Sequence, residues 1–165
     1  MKKQQGKSRM SKRFALVGAE LPEQDVHSNY ERTTSLRNAL IKEGFSFVGV
    51  QNVSKGRISQ MFLVTEITEI VVPQLIAIAK DCGQKALLIA DENLNMEVVS
   101  TTSKERKLLG KFKSATKASA SLAQFYITFI ENGTSYYFVT PNKRTNHGQD
   151  STNGIIQAAS TNRPG

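Results

Sequence analysis

Residues 45–64 read "FSFVGVQNVSKGRISQMFLV", and this stretch decides the fold class. Two strand-like runs, "FSFVGVQNV" and "RISQMFLV", flank the polar connection Ser54-Lys55-Gly56. Such runs joined by a short connection that contains glycine are typical of a β-hairpin, because glycine readily adopts the left-handed conformation that the turn requires. We therefore predict two antiparallel strands joined by a three-residue connection.

The segment before this hairpin predicts one strand and one helix. The apolar run Phe14–Val17, closed by Gly18, indicates a short strand. In "SNYERTTSLRNALIKEG", Ser28 and Glu31 have the spacing of a capping box, a stripe of aliphatic residues follows, and Gly44 ends the pattern. This spacing predicts the first helix.

The segment after the hairpin predicts a second helix. Proline is tolerated in the first turn of a helix, so Pro73 places the helix start close to Val72, and Gly83 ends the helix after Cys82. Glu69 then lies at the N-terminal edge, where exposed N–H groups and the helix dipole favour an anion. The apolar stretch "VTEITEI" carries Glu66 as well, and capping without any chemistry is one interpretation of both acids.

Four further strand-like segments complete the chain. They are "QKALLIAD", "MEVVSTT" and the two arms of a hairpin, "QFYITFI" and "SYYFVT", around Asn132-Gly133. The predicted order is strand, helix, two strands, helix, four strands. We therefore predict an α+β fold, a single domain with a mostly antiparallel β-sheet and two helices packed on one face.

The net charge of +8 comes from the two ends of the chain. Residues 2–13 carry six basic residues and no acid, residues 141–165 carry three basic residues and one acid, and the basic and acidic residues between them balance. We predict a disordered basic tail at 1–13, a catalytic domain at 14–140 and a disordered tail at 141–165. The basic segment Lys104–Lys117 is predicted to be a solvated loop or, alternatively, a site for an anionic group or a phosphate backbone.

Several functional classes lack their sequence signals. The chain has no G-x-G-x-x-G motif, no P-loop and only one cysteine, Cys82, and its two histidines, His27 and His147, indicate no metal site. No apolar run approaches the roughly 20 residues of a membrane-spanning helix, and no signal-peptide core follows the basic N-terminus. We expect the protein to act in the cytoplasm.

A series of segments resembles one enzyme family. "FALVGA", "SLRNAL", the hairpin with Gly56, Thr68-Glu69, "IAKDCGQKALLI", "KERKLLGKF" and "AQFYITFIENGTSYYFV" occur in that order between Phe14 and Val139. In this respect the chain is similar to the phage S-adenosylmethionine hydrolases, now regarded as S-adenosylmethionine lyases. The most specific positions are Thr68-Glu69, Gln84 and Glu105-Arg106.

The resemblance implies an activity and its residues. It implies degradation of host S-adenosylmethionine by intramolecular lactonisation, which gives 5′-methylthioadenosine and homoserine lactone without cofactor or metal and counteracts restriction. Glu69 is then the catalytic residue, a fixed carboxylate that holds the ammonium or faces the sulfonium of the substrate. Glu105, Glu66 and Gln84 are the candidate substrate-binding residues, with packing the other interpretation of Gln84. The resemblance also implies a homotrimer with the site between subunits.

Three alternatives remain open from the sequence. A hydrolase would use Glu69 as general base for water and would give homoserine. A nucleic-acid-binding phage protein would use the basic tails and the segment Lys104–Lys117. A non-enzymatic inhibitor would dock on a host enzyme through the last hairpin or this segment.

Overall fold

The hairpin predicted from residues 45–64 is present in the computed structural model, which describes residues 13–121, 123, 125–131 and 133–139. Strands β2 (Ser46–Ser54) and β3 (Arg57–Thr65) pair along their full length in antiparallel register. Only Lys55 and Gly56 connect them, with φ angles of 50° and 82°. The predicted three-residue connection is therefore wrong by one residue, because two consecutive left-handed residues already match the strand twist.

The described residues contain nine strands and three helices. The other strands are β1 (Phe14–Gly18), β4 (Ala86–Ala90), β5 (Asn95–Ser100), β6 (Arg106–Lys111), β7 (Lys113–Ala115), β8 (Phe125–Glu131) and β9 (Thr134–Val139). The helices are α1 (Val26–Lys42), α2 (Val72–Asp81) and α3 (Lys117–Ser121), and a 3₁₀ turn (Glu69–Val71) precedes α2. The fold is α+β with a mostly antiparallel sheet, as predicted.

The sheet curls until it is nearly closed. Its strand order is β6-β5-β4-β1-β3-β2-β8-β9-β7, so β6 and β7 occupy opposite ends although only Phe112 separates them in the chain. The ring of Phe112 stacks on Phe138 with centroids 5.2 Å apart and lies 5.9 Å from the ring of Phe14. One buried side chain thus contacts the first strand and the ninth.

The two faces of the sheet form two separate cores. The concave face brings together Phe14, Leu16 and Leu63 from the middle strands β1 and β3, Phe138 from β9, and Phe112 from the link between the two end strands. The convex face packs against both long helices. Its core contains Ala15, Val17, Val64, Leu87, Ile89 and Val99 from the strands and Leu36, Leu40, Leu75 and Ala79 from α1 and α2. The prediction of two helices on one face is confirmed.

Two local predictions are wrong for identifiable reasons. Lys104–Lys117 is not a loop, since β6 and β7 lie within it. Lys107, Lys111 and Lys113 lie on strands at the ends of the sheet order, where charged side chains protect a sheet edge, while Leu109 and Phe112 are buried. Helix α1 is capped by Asp25, whose Oδ1 accepts from the Ser28 N–H at 2.7 Å, so the helix begins before the predicted capping box.

The predicted disordered tails lie outside the described residues except for Arg13. Its guanidinium forms an ion pair with the Glu69 carboxylate. No helix within the described ranges is long and apolar enough to cross a membrane.

Replacement of Phe112 tests the closure of the sheet. Phe112→Ala should lower the free energy of unfolding by about 3–5 kcal/mol, because it leaves a cavity where two aromatic rings meet. Urea denaturation measures the loss. Ile130→Ala on β8 is the control, since its side chain is 72% exposed and should change stability by less than about 0.5 kcal/mol. A loss under about 1 kcal/mol for Phe112→Ala would contradict this role.

Candidate functional site

Glu69 lies where the sequence predicts it, at the N-terminal edge of α2. It opens the 3₁₀ turn that leads directly into the helix at Val72, and Pro73 occupies the first helical turn. Its side chain is 53% exposed. The carboxylate therefore stands at the positive end of a helix dipole and remains accessible to a ligand.

Two arginines hold the Glu69 carboxylate. Arg106 donates through Nη2 to Oε1 at 2.6 Å and through Nη1 to Oε2 at 3.1 Å, and Arg13 Nη1 donates to Oε2 at 2.7 Å. Arg106 Nη1 also donates to Glu97 Oε1 at 3.3 Å, and Arg13 Nη2 lies 3.9 Å from Glu92 Oε1. A two-point guanidinium contact fixes the plane of a carboxylate, so Glu69 has a defined orientation.

The strand register places these residues together on the convex face of the sheet. Arg106 pairs with Val99, which belongs to the core beneath the helices. Glu97 is two residues from Val99, and Arg13 is two residues from Ala15 in the same core. Because side chains alternate along a strand, all three charged side chains emerge on the side that carries α2.

A cavity of about 470 Å³ opens beside this cluster. It is lined by Arg13, Glu69, Ile89, Asp91, Asn95, Glu97, Arg106 and Leu108. Its lining thus carries three carboxylates and two guanidinium groups, a formal charge of −1. Its size lies within the range of small-molecule sites, which is about 300–1,000 Å³.

The turn between β4 and β5 forms one rim of this cavity. Asp91 Oδ1 accepts from the backbone N–H groups of Asn93 at 2.8 Å and Asn95 at 2.9 Å. Leu94, between them, has a φ of 66°. Desolvation raises the pKa of Asp91, but the hydrogen bonds from Asn95 and Asn93 outweigh it and the net shift is downward. Asp91 is therefore a fixed anion.

The arginines also determine the ionisation of Glu69. Hydrogen bonds from Arg106 are the largest cause of a lowered Glu69 pKa, desolvation opposes them, and the charges of Arg106 and Arg13 add to the lowering. The Arg106 pKa is raised, chiefly by the hydrogen bonds to Glu69. Glu69 is thus a carboxylate at neutral pH and a weak base.

The structure does not bring the other three predicted residues to this cavity. Glu66 is exposed, with a φ of 56°, and Glu105 is exposed just before β6; neither lines the cavity. Gln84 is buried at the end of α2. Its Nε2 donates to the backbone carbonyl of Glu20 at 3.4 Å. Its backbone carbonyl accepts from the Thr101 hydroxyl at 2.8 Å. These contacts agree with the packing interpretation of Gln84.

Four charged lining residues were missed by the sequence-based prediction. Arg13 was assigned to the tail, Asp91 and Glu97 were placed in ordinary strands, and Arg106 was placed in the basic segment Lys104–Lys117. For Glu97 a usable signal exists, because it is the only charged residue in the otherwise uncharged strand-like segment "MEVVSTT". Arg106 adjoins Glu105 in a segment already selected by the resemblance.

The chain matches no family model, and no curated protein matches it. The functional conclusion therefore depends on the residues and geometry of the cavity around Glu69.

Removal of Arg106 tests the electrostatics of the cavity. In Arg106→Gln the Glu69 pKa should rise toward its ordinary value of 4.5, because the largest cause of its lowering is gone. An NMR titration of the side-chain carboxyl carbon measures this pKa. Because the folded-state pKa is lowered, Glu69 contributes stability above pH 4.5 that is lost as the pH falls through the folded pKa, and the variant should lose part of that acid-dependent stability. Arg37→Gln is the control, because Arg37 does not line this cavity and does not contribute to the lowered Glu69 pKa. An unchanged Glu69 pKa would refute the assignment.

Proposed function

We propose that the chain degrades S-adenosylmethionine by intramolecular lactonisation in the cavity around Glu69. The observation that carries the proposal is the lining of this cavity, which combines three fixed carboxylates with two guanidinium groups. S-adenosylmethionine bears one carboxylate, one ammonium and one sulfonium group, a net charge of +1. The cavity charge of −1 is complementary, and the resemblance identified in the sequence supports the same substrate.

The reaction demands little chemistry from the protein. A carboxylate oxygen of the substrate attacks its own γ-carbon, the bond from this carbon to sulfur breaks, and the electron pair stays on sulfur. The products are 5′-methylthioadenosine and homoserine lactone, with no water consumed and no proton transferred. The protein has to hold the methionine arm in the attacking conformer and exclude water, which is catalysis by positioning.

Charge changes during this reaction assign a role to Glu69. The sulfonium and the attacking carboxylate both lose their charge, whereas the ammonium keeps its charge throughout. An acid that contacts the ammonium therefore anchors the substrate without stabilising a charge that must disappear. We assign this contact to Glu69, with Glu97 as its neighbour. Arg106 is a positioning residue, since its guanidinium is occupied by these acids and leaves the substrate carboxylate free to attack.

The lowered pKa of Glu69 favours the lyase over the hydrolase. A general base works best when its pKa lies near the operating pH, and the hydrogen bonds from Arg106 move the Glu69 pKa away from neutrality. Positioning an ammonium requires only a permanent negative charge. Identification of the first product distinguishes the lyase from the hydrolase.

We further propose that the active form is a homotrimer that acts in the host cytoplasm. Two large apolar side chains at the cavity support an interface there. Leu108 lines the cavity and is 64% exposed, and Ile70, next to Glu69, is 87% exposed. A second copy that covered them would dry the cavity, and it could bring Glu105 toward the substrate.

The products test the proposal directly. The purified protein with chelator present should convert S-adenosylmethionine to 5′-methylthioadenosine and homoserine lactone. In heavy-oxygen water, mass spectrometry of early time points should find lactone without solvent oxygen. If labelled homoserine appears first, the enzyme is a hydrolase and not a lyase. If the substrate is unchanged, both activities are excluded.

Substitution of the two neighbouring acids tests the site. Glu69→Gln keeps the shape but removes the charge, so kcat/KM should fall about tenfold to hundredfold, which corresponds to about 1.5–3 kcal/mol for a charged hydrogen bond. Glu66→Gln is the matched control, because Glu66 is exposed and outside the cavity lining, and it should stay within about twofold of the parent. Circular dichroism verifies that both variants fold. Full activity of Glu69→Gln would show that Glu69 does not contribute to the reaction.

A further inference from the structure

A second and larger cavity lies between α1 and β3. Its volume is about 720 Å³. Its helical wall is the stripe Val26, Tyr30, Thr33 and Arg37, with the spacing of one helix face, and its floor is formed by alternate residues of β3 on the same side of the sheet, Ile58, Gln60 and Phe62. This α1–β3 groove shares no lining residue with the cavity around Glu69.

The α1–β3 groove has the opposite charge. It is lined by Arg37, Arg57 and a single acid, Glu20, a formal charge of +1. The Glu20 carboxylate is already used: Oε2 accepts from the Gln60 N–H at 2.9 Å, and Oε1 lies 3.8 Å from Arg57 Nη2. With this carboxylate occupied, the groups that can donate hydrogen bonds to a ligand include the two guanidinium groups and the Thr33 hydroxyl.

Two of these donors are buried without a partner. Thr33 Oγ1 and Arg57 Nη1 are inaccessible to solvent and form no hydrogen bond in the described structure. An unsatisfied buried donor is costly, and a bound ligand or water is the usual reason for its presence. Arg37, at the other end of the helical stripe, is exposed and forms no ion pair among the described residues.

Apolar side chains occupy the space between the two arginines. Val26 is 86% exposed, Tyr30 69% and Ile58 60%. Arg57 is the first residue of β3 and pairs with Glu20, and Arg37 lies eleven residues after Val26, roughly 16 Å along the helix axis. A ligand that fills the groove therefore needs an anionic group at one end, a flat apolar body, and acceptor atoms at the other end.

We propose that the α1–β3 groove is a binding site for a nucleoside monophosphate. The Arg57 and Thr33 side chains turn toward the groove when the ligand binds, so that the phosphate accepts from Arg57 Nη1 and the sugar hydroxyls contact Thr33. The base lies over the apolar floor with acceptors toward Arg37. The guanidinium fork matches the O6 and N7 acceptors of guanine, so guanosine 5′-monophosphate is the probe of choice. This site is independent of the lyase activity, because it has its own cavity and the opposite charge.

Binding of guanosine 5′-monophosphate by calorimetry and NMR tests the site without S-adenosylmethionine. Saturable binding should shift the resonances of Tyr30 and Thr33, and guanosine or inorganic phosphate alone should bind at least about tenfold more weakly. Thr33→Val and Arg37→Gln should each weaken binding about tenfold or more. Thr33→Val should not lower the melting temperature, since it removes a hydroxyl that has no partner.

Lys42→Gln is the matched control, because it removes one positive charge from α1 outside the groove and should change the affinity by less than about twofold. An equal loss in Lys42→Gln would mean a general charge effect and would overturn the proposal. If inorganic phosphate binds as tightly as the nucleotide, the groove holds an adventitious ion only and the proposal is rejected. Absence of saturable binding at millimolar nucleotide would also reject it.

Discussion

Phe112 connects β6 and β7, the two ends of the strand order, and its packing supports the geometry of the cavity around Glu69. Its ring meets Phe138 of β9 and Phe14 of β1 inside the curled sheet, while its backbone N–H donates to the Leu94 carbonyl at 2.8 Å. One residue thus ties the concave core to the turn between β4 and β5. That turn carries the Asp91 rim of the cavity around Glu69, so packing on the concave face positions charges on the convex face.

The convex face separates its charges into two regions. Near the start of α2, three carboxylates surround two guanidinium groups, and along α1 two guanidinium groups face one carboxylate. Each region satisfies part of its charge internally, which lowers the cost of keeping charged groups near an apolar core. The residual charges, −1 and +1, determine the sign of the ligand that each region attracts.

Local features of this chain could be predicted from the sequence, and long-range ones could not. Pro73 and Gly83 locate α2 and hence place Glu69, because the constraints are backbone rules that act within a few residues. The pairing of Glu69 with Arg106 spans 37 residues and exists only because β6 lies beside β5 at one end of the sheet. The lysines of β6 and β7 led to the wrong prediction of a loop, because an edge strand and a solvated loop have similar composition.

The ion pairs around Glu69 also limit the chemistry available to it. Two guanidinium groups hold this carboxylate in one plane and lower its pKa, so it is poorly suited to removing a proton. They leave it a permanent charge of fixed direction, which requires no reorganisation when a cation binds. A reaction in which the substrate attacks itself and needs only to be held is the kind that such an arrangement can promote, whereas activation of water would require a less constrained acid.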